Sequence, residues 1–313
     1  MHYLVIVNPA AGRGQADRAV PQIEALLREA RLDYTLVRTE HPMHAADLAQ
    51  DAAENDTDVV VAVGGDGTAN EVLNGLMRVP RERRTCAIGA LCVGRGNDFA
   101  FGVGIPADLA EGVRTLAEAH RHTIDVGHVV GGDYPDGRYF GNGIGIGFDA
   151  VVGFVAARQK LLHGFAGYIA ATLKTTFLFY HAPLIALEFE DVLTGRRESR
   201  QVPALMVSVM NGQRMGGGFM MAPDGQPDDG YFDLCIAPQV SRLRIFALVP
   251  HFMKGTQATQ HPISTGRTAR VTVTAIDGTL PAHADGETVC TEGYRLEMHV
   301  LPAQVDVITR AVA

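Results

Sequence analysis

The sequence contains few cysteines, and they are widely spaced. Its 313 residues include four, Cys86, Cys92, Cys235 and Cys290. No two of them form a C-x-x-C pair, and no histidine cluster completes a zinc-binding pattern. We therefore expect reduced thiols in a cytoplasmic protein. We also expect no secretory leader, because the first apolar run, residues 3–7, is much shorter than the hydrophobic segment of a signal peptide.

Basic residues are outnumbered by acidic ones. Lys and Arg total 27 against 35 for Asp and Glu, which gives a net charge of −8. A nucleic-acid-binding protein would need a basic surface, so we expect no nucleic-acid partner. The same balance argues against simple electrostatic docking on anionic lipid, although a local basic patch is compatible with it. Nowhere do 18 uncharged apolar residues follow one another, which predicts that there is no transmembrane segment.

Apolar residues and glycine, in contrast, are abundant. The chain is 47% hydrophobic and 20% charged, a composition that excludes disorder and suffices for a full core. The length corresponds to roughly two domains of about 150 residues each. The 35 glycines exceed the usual share of about 7%. They indicate many tight turns and sites lined by backbone.

Residues 1–124 alternate strand and helix patterns. Short apolar runs such as residues 58–63 predict buried strands, and the segments between them have the periodicity of amphipathic helices. Repeated βα units predict a doubly wound, Rossmann-like parallel sheet with helices on both faces. Ligands of such sheets bind at the carboxyl ends of the strands. Three glycine-rich loops lie at those ends: residues 8–14, 64–68 and 94–98.

The pattern changes in the second part of the chain. Residues 126–144 indicate a hairpin, and residues 148–180 have a helical pattern that is interrupted near Gly164 and Gly167. Most later segments alternate like strands. We therefore predict that residues 125–301 form a second, β-rich domain.

The segment Gly64-Gly65-Asp66-Gly67-Thr68 lies between a predicted buried strand and the start of a helix. Its glycines allow successive backbone N–H groups to converge on an anion, and Thr68 can cap a helix whose dipole favours phosphate. The segment is not a Walker A loop, because no Gly-Lys-Ser/Thr follows, and it is not a G-x-G-x-x-G motif. A plain tight turn is the alternative. Asp66 fits a phosphate site chiefly if Mg²⁺ or water mediates.

Each of the other motifs has an ordinary structural explanation when it is taken alone. The segment 142–147 contains G-x-G-x-G but lacks a βαβ context, so it favours close packing of strands. Asp285-Gly286-Glu287 and Asp228-Asp229-Gly230 are both typical of surface turns. Gly216-Gly217-Gly218 predicts an anion nest or simply a loop.

Taken in order, these motifs resemble those of the diacylglycerol kinase catalytic-domain family, in particular the bacterial lipid kinases that are similar to sphingosine kinase. The matching segments are Val7-Asn8-Pro9 with Gly12-Arg13-Gly14, Gly64–Thr68 with Asn70-Glu71, Gly94 with Gly96-Asn97-Asp98-Phe99, Ile124-Asp125-Val126-Gly127, Gly147-Phe148-Asp149, Asn211 with Gly216-Gly217-Gly218, Ala222-Pro223, Asp229-Gly230 and Asp285-Gly286-Glu287. Each segment is a weak signal by itself, whereas the ordered set is specific.

The resemblance implies an ATP-dependent lipid kinase that transfers the γ-phosphoryl group to a lipid hydroxyl, with Mg²⁺ as a cofactor. It implies a nucleotide-binding first domain and a β-sandwich second domain that binds the lipid. A last strand at residues 305–308 would return to the first domain, so that residues 302–313 belong with residues 1–124. The resemblance further implies a cytoplasmic enzyme that works at the membrane surface, and it leaves a homodimer open.

The resemblance also assigns candidate site residues position by position. The nucleotide contacts are Asn8, Gly12, Gly14, Thr39, Gly64, Gly65, Asp66, Gly67, Thr68, Asn70, Gly94, Arg95, Gly96 and Asn97. The catalytic carboxylates are Asp285 and Glu287, and the sequence does not decide which of them is the base. A structural Mg²⁺ is assigned to Gln226, Asp229 and Tyr231, with the first and the last binding through their backbone carbonyls. Candidate lipid contacts, which are also compatible with ordinary core, are Phe219-Met220-Met221 and Phe177–Tyr180.

Arg95 departs from the family pattern, which has Thr or Ser between the glycines of the third loop. A guanidinium at this position is expected to bind nucleotide phosphates or to fold back onto Asp66 or Asp98. Two other functions compete with the lipid kinase: a kinase of a soluble acceptor, similar to NAD kinase, and a nucleotide-binding sensor with weak catalysis. The Asp-Gly-Glu and Gly-Gly-Gly segments favour the lipid kinase, without separating diacylglycerol, phosphatidylglycerol and sphingoid bases as acceptors.

Overall fold

A computed structural model describes residues 1–55, 57–94, 96–158 and 182–311. The chain divides into two compact units, Met1–Val126 with Pro302–Ala313, and Gly127–Leu301. The helices are α1 (Gln15–Glu29), α2 (His44–Glu54), α3 (Asp66–Met77), α4 (Asp98–Gly102), α5 (Leu109–Glu118), α6 (Phe148–Arg158) and α7 (Arg242–Lys254). Of the helical pattern predicted over residues 148–180, α6 is the described part, and residues 159–180 lie outside the described ranges.

The strands are β1 (His2–Val7), β2 (Asp33–Arg38), β3 (Val59–Gly64), β4 (Ala87–Cys92), β5 (Arg121–Gly131), β6 (Tyr134–Phe140), β7 (Gly143–Gly147), β8 (Leu184–Asp191), β9 (Arg196–Met210), β10 (Arg214–Met215), β11 (Phe219–Met220), β12 (Phe232–Pro238), β13 (Ser264–Thr268), β14 (Arg270–Asp277), β15 (Leu280–Ala284), β16 (Glu287–Gly293) and β17 (Arg295–Ile308).

The first unit is built on a parallel sheet in the order β4–β3–β1–β2. All six residues of β3 are buried, as expected for a strand that helices cover on both faces. Helix α1 packs with α5, and α2 packs with α3. The chain leaves β1 toward β2 and then returns to place β3 on the other side of β1. This reversal of strand order creates a crevice at the carboxyl ends of β1 and β3, which is where α/β sheets bind ligands.

The C-terminal segment of the first unit extends the same sheet. Val307 pairs in parallel with Ile88 of β4. The Asp125 carboxylate accepts a hydrogen bond from the backbone N–H of Ala303 at 2.8 Å. The last residues of the chain are therefore integral to the first unit.

The second unit is a β-sandwich whose two layers share the long strand β9. The first half of β9 pairs with β8, and its second half pairs with β7 and β12. Alternate residues of these strands, including Val207, Val209, Leu234 and Ile236, form one core between the layers. This is the period of two expected for strands that bury one face. The predicted fold class, an α/β domain followed by a β-sandwich domain, is confirmed.

A second core lies on the opposite face of β9 and β12. Met206, Met210 and Cys235 point into it and are covered by α6 and α7. This core lines a partly open apolar cavity of about 50 Å³. Its described lining residues are Phe148, Asp149, Val152, Leu205, Met206, Phe219, Met221, Ile245, Leu248, Val249 and Phe252. Of these, Asp149 alone is not apolar.

Asp149 belongs to a buried polar cluster with Ser208 and His283. Both partners pair with Gly145 across neighbouring strands, and a β-carbon on Gly145 would collide with the Asp149 carboxylate and the His283 ring. The Ser208 hydroxyl donates to Asp149 Oδ2 at 3.5 Å. Burial raises the pKa of Asp149 to about 7 and lowers the pKa of His283 to about 4. Neither His283 ring nitrogen has a hydrogen-bond partner within the described part of the chain.

We expect Asp149→Asn to raise the melting temperature most at high pH. The pKa of the carboxyl rises from 3.8 to about 7 on folding, so its contribution to stability is full below pH 3.8 and is lost as the pH rises to about 7. The amide does not titrate. The advantage of the variant should therefore widen over this range by up to about 1.4 kcal/mol per pH unit. Thermal melts across the range test this, with the exposed Asp136→Asn as control; an advantage that is independent of pH contradicts it.

Candidate functional site

The predicted nucleotide contacts of the first unit converge at one edge of its parallel sheet. The loops that follow β1, β3 and β4 are joined there by backbone hydrogen bonds, from Asn8 N–H to Val63 O at 3.1 Å and from Val93 N–H to Gly64 O at 2.9 Å. Thr39, which follows β2, reaches the same edge because its N–H donates to Val7 O at 2.9 Å. The order of the strands therefore brings together segments that are far apart in sequence.

Asn8 ties the first loop to the second. Its side-chain Nδ2 group donates to Thr68 Oγ1 at 3.2 Å, and its side-chain Oδ1 atom accepts the N–H of Ala10 at 3.1 Å. Further along this loop, Gly12 and Gly14 both have positive φ angles, 58° and 81°. Backbone in this conformation turns successive N–H groups toward a common point, as in anion-binding nests.

The second and third loops approach each other closely through the backbone of Gly65 and Gly94. A β-carbon on Gly94 would lie 2.6 Å from the Cα atom of Gly65 and 2.7 Å from Asn97 Oδ1, so the position admits only glycine. The Asn97 amide donates back to Gly94 O at 3.2 Å. Next to this contact lies a small cleft of about 10 Å³, lined by residues of β3, α3, β4 and α4. Gly64 and Gly65 belong to its lining, at the start of a helix, where backbone N–H groups favour an anion.

Asp66 is the first residue of α3 and fixes the third loop. Its Oδ1 accepts the N–H of Phe99 at 3.0 Å, and Gly96 lies against its Oδ2. A carboxylate in the first turn of a helix is stabilised by the helix dipole. Asp66 therefore anchors the third loop, and its carboxylate also lies beside the cleft.

Two of the predicted nucleotide contacts are interior. Asn70 is 1% exposed, and its side-chain oxygen accepts the Asn74 amide at 3.2 Å. Thr68 is 3% exposed and holds Asn8. Both residues stabilise the start of α3 instead of presenting a side chain at the surface. Arg95 lies outside the described residues.

In the second unit, Asp285 is enclosed by backbone N–H groups. Its carboxylate accepts the N–H of Gly141 at 2.7 Å and those of Asn142 and Gly143 at 3.0 Å each. The side chain is 6% exposed, and the backbone φ angle is 48°. Glu287, two residues further at the start of β16, is partly exposed. The two carboxylates of the Asp-Gly-Glu motif therefore have different surroundings.

Residues 141–143 are the partners that sequence reasoning missed. Asn142 and Gly143 belong to the segment that the G-x-G-x-G pattern assigned to strand packing, and Gly141 directly precedes it; all three lie more than 140 positions from Asp285. The Asn142 amide donates to Arg214 O at 2.9 Å, and the Asn211 amide donates to Gly141 O at 2.8 Å. Three motif segments are thus bonded around one carboxylate.

The predicted magnesium set does not fit a divalent cation in this arrangement. Asp229 forms an ion pair with the Arg267 guanidinium, and its other oxygen accepts the N–H of Tyr231 at 3.0 Å. The Arg267 Nε atom lies 3.4 Å from Asp233 Oδ1. Mg²⁺ requires near-octahedral oxygen ligands at about 2.0–2.1 Å. The Arg267 guanidinium is instead paired with Asp229, the one carboxylate of the predicted set.

Part of the predicted lipid-contact set lines the apolar cavity of the second unit. Phe219 and Met221 contribute to its wall, whereas the segment Phe177–Tyr180 lies outside the described residues. Within the described ranges, no helix is long and apolar enough to cross a membrane. Phe148 and Asp149 belong to a motif segment of the sequence, and the other lining residues were not singled out from it. The apolar positions Ile245, Leu248 and Phe252 at helical spacing are the signal that could have found them.

Two family models match the chain. Residues 2–129 match the diacylglycerol kinase catalytic domain, and residues 142–309 match the YegS C-terminal NAD kinase beta sandwich-like domain. The second match covers more than half of the chain.

Relatives and solved structures agree with these matches. The chain is 27% identical to diacylglycerol kinase of Mycobacterium tuberculosis over 304 residues, 97% of this chain and 93% of the relative. It is 27% identical to diacylglycerol kinase of Bacillus subtilis over 285 residues, 90% of this chain and 88% of the relative.

Two solved structures share the fold. A diacylglycerol kinase from Bacillus anthracis superposes with a TM-score of 0.73 at 19% identity, covering 99% of this chain and 97% of that one. An NAD kinase from Archaeoglobus fulgidus in complex with ATP superposes with a TM-score of 0.51 at 15% identity, covering 99% and 94%. The chain belongs to the family of kinases that join a diacylglycerol kinase catalytic domain to a YegS-type β-sandwich domain.

Proposed function

We propose that the chain transfers the γ-phosphoryl group of ATP to the hydroxyl of a membrane lipid of the diacylglycerol class. The observation that carries the proposal is the partly open cavity of the second unit, whose described lining is apolar except for Asp149. A soluble acceptor such as a dinucleotide needs polar partners along its length, whereas an acyl chain needs apolar walls. The related proteins named diacylglycerol kinase support the same acceptor class.

In this proposal the loops of the first unit bind the triphosphate. Phosphoryl transfer needs N–H groups on the phosphates and correct positioning more than covalent chemistry from the protein. Gly12, Gly14 and the junction of Gly65 with Gly94 offer backbone at the end of the parallel strands. The N-terminus of α3 adds the positive end of a helix dipole. We assign Asn8 and Asp66 to holding these loops in place, with MgATP as the substrate.

We assign the general base to Glu287 and a positioning role to Asp285. Three backbone N–H groups point at the Asp285 carboxylate. Such hydrogen bonds stabilise the charged form, and protonation would weaken them. A base must accept the proton of the acceptor hydroxyl during transfer. Glu287 is partly exposed and is held in register by the β15–β16 pairing next to Asp285.

We further propose that Arg267 supplies the positive charge that the family resemblance attributed to Mg²⁺. It pairs with Asp229 and approaches Asp233, and its guanidinium lies 5.4 Å from the centre of the Tyr231 ring. Burial raises the pKa of Asp233 to about 6, against the lowering effect of the Arg267 charge. The turn therefore concentrates negative charge around one guanidinium. In this chain, the positive charge beside the residues assigned to the metal belongs to the Arg267 side chain.

We expect Glu287→Gln to lower the turnover number and Asp285→Asn to lower the stability of the second unit. Loss of a general base lowers turnover by about 10² to 10⁴, so Glu287→Gln should lose kcat and keep its melting temperature and its affinity for ATP. Asp285→Asn turns an acceptor of three N–H groups into a group with fewer acceptor sites. It should destabilise the second unit by roughly 1–3 kcal/mol. Steady-state kinetics and thermal melts test this, with the exposed Glu292→Gln on the same strand as control. Normal turnover in Glu287→Gln would refute the assignment.

We expect Val152→Phe to raise KM for long-chain acceptors and to leave KM for ATP unchanged. Val152 is 1% exposed and lines the cavity, so the larger ring fills space that an acyl chain would otherwise occupy. The increase should be tenfold or more for a long-chain diacylglycerol, since lost burial costs about 0.8 kcal/mol per CH₂. It should shrink as the chains are shortened. An effect that is independent of chain length would contradict the assignment of the cavity.

We expect Mg²⁺ to leave the melting temperature of the nucleotide-free protein unchanged and to stabilise Arg267→Gln. Removal of the guanidinium leaves Asp229 and Asp233 without their cation, which should cost roughly 1–3 kcal/mol. A divalent ion can then bind them. Melts with Mg²⁺ and with a chelator test this, with Arg270→Gln on β14, the next strand along the chain, as control. A strong response of the wild-type protein to the chelator would show that a metal is present after all.

A further inference from the structure

Helix α7 has an unusual composition for a surface helix. Its sequence, RLRIFALVPHFMK, contains three cations and no acidic residue, in a chain whose net charge is −8. Ser241 caps its start by accepting the N–H of Arg244 at 3.3 Å, and Gly255 ends it with a φ angle of 68°. The helix has 13 residues, about 20 Å at 1.5 Å per residue, which is too short to span a bilayer.

The inner face of α7 forms a wall of the apolar cavity. Ile245, Leu248 and Phe252 are buried and line it, together with Val249. Their spacing of three and four residues places them on one side of the helix. This face accounts for the burial of the helix against the second core.

The outer face of α7 is apolar as well. Leu243 is 80% exposed and Met253 is 42% exposed, and Ala247 and Pro250 between them are exposed too. At about 100° per residue, these four positions fall within an arc of roughly 120°. A helix in contact with water normally carries polar residues there. An exposed apolar strip of this kind marks a binding surface.

Cations flank this strip at both ends of the helix. Arg242 and Lys254 are exposed; at about 100° per residue, Lys254 falls beside Leu243, and Arg242 falls at the edge of the strip next to Met253. The third cation, Arg244, is turned away, because it donates to Gln260 Oε1 and His261 O at 3.2 and 3.3 Å. An apolar strip between two cations matches the boundary between acyl chains and anionic headgroups.

We propose that the outer face of α7 docks on an anionic bilayer, with Leu243 and Met253 at the acyl boundary and with Arg242 and Lys254 on lipid phosphates. The inference rests on the proposed lipid kinase function, because the same helix would then lie between the bilayer and the cavity that takes the lipid. A second copy of the chain is the less suitable occupant. A two-fold contact through this face would bring Arg242 of one copy toward Lys254 or Arg242 of the other.

The absence of tryptophan from the chain allows a direct test. In Leu243→Trp the new indole is the only tryptophan, and we expect its emission to shift to shorter wavelength and to become protected from an aqueous quencher on vesicles that contain phosphatidylglycerol. The matched control is Leu193→Trp, at a site that is 70% exposed on a different segment of the second unit; its emission should not change. An unchanged spectrum of Leu243→Trp overturns the proposal. A shift that needs only a higher protein concentration, without vesicles, assigns the face to self-association and overturns it as well.

Sedimentation with vesicles measures the contribution of each part of the surface. We expect at least tenfold weaker binding for Leu243→Gln/Met253→Gln and for Arg242→Gln/Lys254→Gln. The control Leu193→Gln/Ile276→Gln removes two other exposed apolar side chains and should bind like the wild type. Only the binding that depends on Arg242 and Lys254 should weaken with salt. Wild-type binding by both α7 variants would refute the proposal.

Kinetics with two acceptors separate this inference from the proposed function. On a short-chain diacylglycerol dispersed as monomers, the α7 variants should match the wild type, and on vesicles they should lose activity in proportion to binding. Vesicle binding through α7 without phosphorylation of any lipid would refute the lipid kinase and leave the docking surface standing. Normal kinetics of the α7 variants on vesicles would refute the docking surface and leave the kinase standing.

Discussion

The burial of the Asp285 carboxylate beneath three backbone N–H groups is the constraint on which the second unit's candidate site depends. The carboxylate accepts the N–H groups of residues 141–143, and the N–H of Asp285 donates back to Gly143 O at 3.0 Å. A buried carboxylate is tolerated only when such partners are present. The bonds fix the turn that carries Glu287 to the start of β7. They also require a positive φ angle at Asp285, a conformation that costs a non-glycine residue free energy.

The loops that we propose to bind nucleotide follow a related principle, with backbone in place of side chains. A β-carbon on Gly94 would collide with Gly65, so the second and third loops approach each other through their backbones. Their positions are set by the parallel strands that they follow. The side chains of Asn8 and Asp66 act indirectly, because they hold the loops together. A site built in this way is rigid before the ligand arrives, which reduces the entropic cost of binding.

This difference explains how much of the protein could be predicted from its sequence. The glycine-rich loops are local signals, because each follows a buried strand and precedes a helix within a few residues, so their position at the sheet edge could be predicted. The role of Asp285 could not, since its partners lie more than 140 residues away and their own motif favours strand packing. The same holds for Arg267, which reaches Asp229 from a strand 38 residues further along the chain. Asn70 matches a nucleotide contact by position, but its amide is turned into the protein toward Asn74.

The distribution of charge over the molecule affects how it meets an anionic membrane. A net charge of −8 keeps the molecule as a whole from adhering to anionic membranes, and screening at physiological salt confines any attraction to about 8 Å. A cationic, apolar helix can therefore select one orientation at the bilayer without strong binding elsewhere. Helix α7 is also a wall of the apolar cavity, so under our proposal the orientation selected at the membrane presents this wall to the lipid. Weak attraction overall combined with one specific patch favours rapid release after each encounter, which suits the proposed lipid kinase.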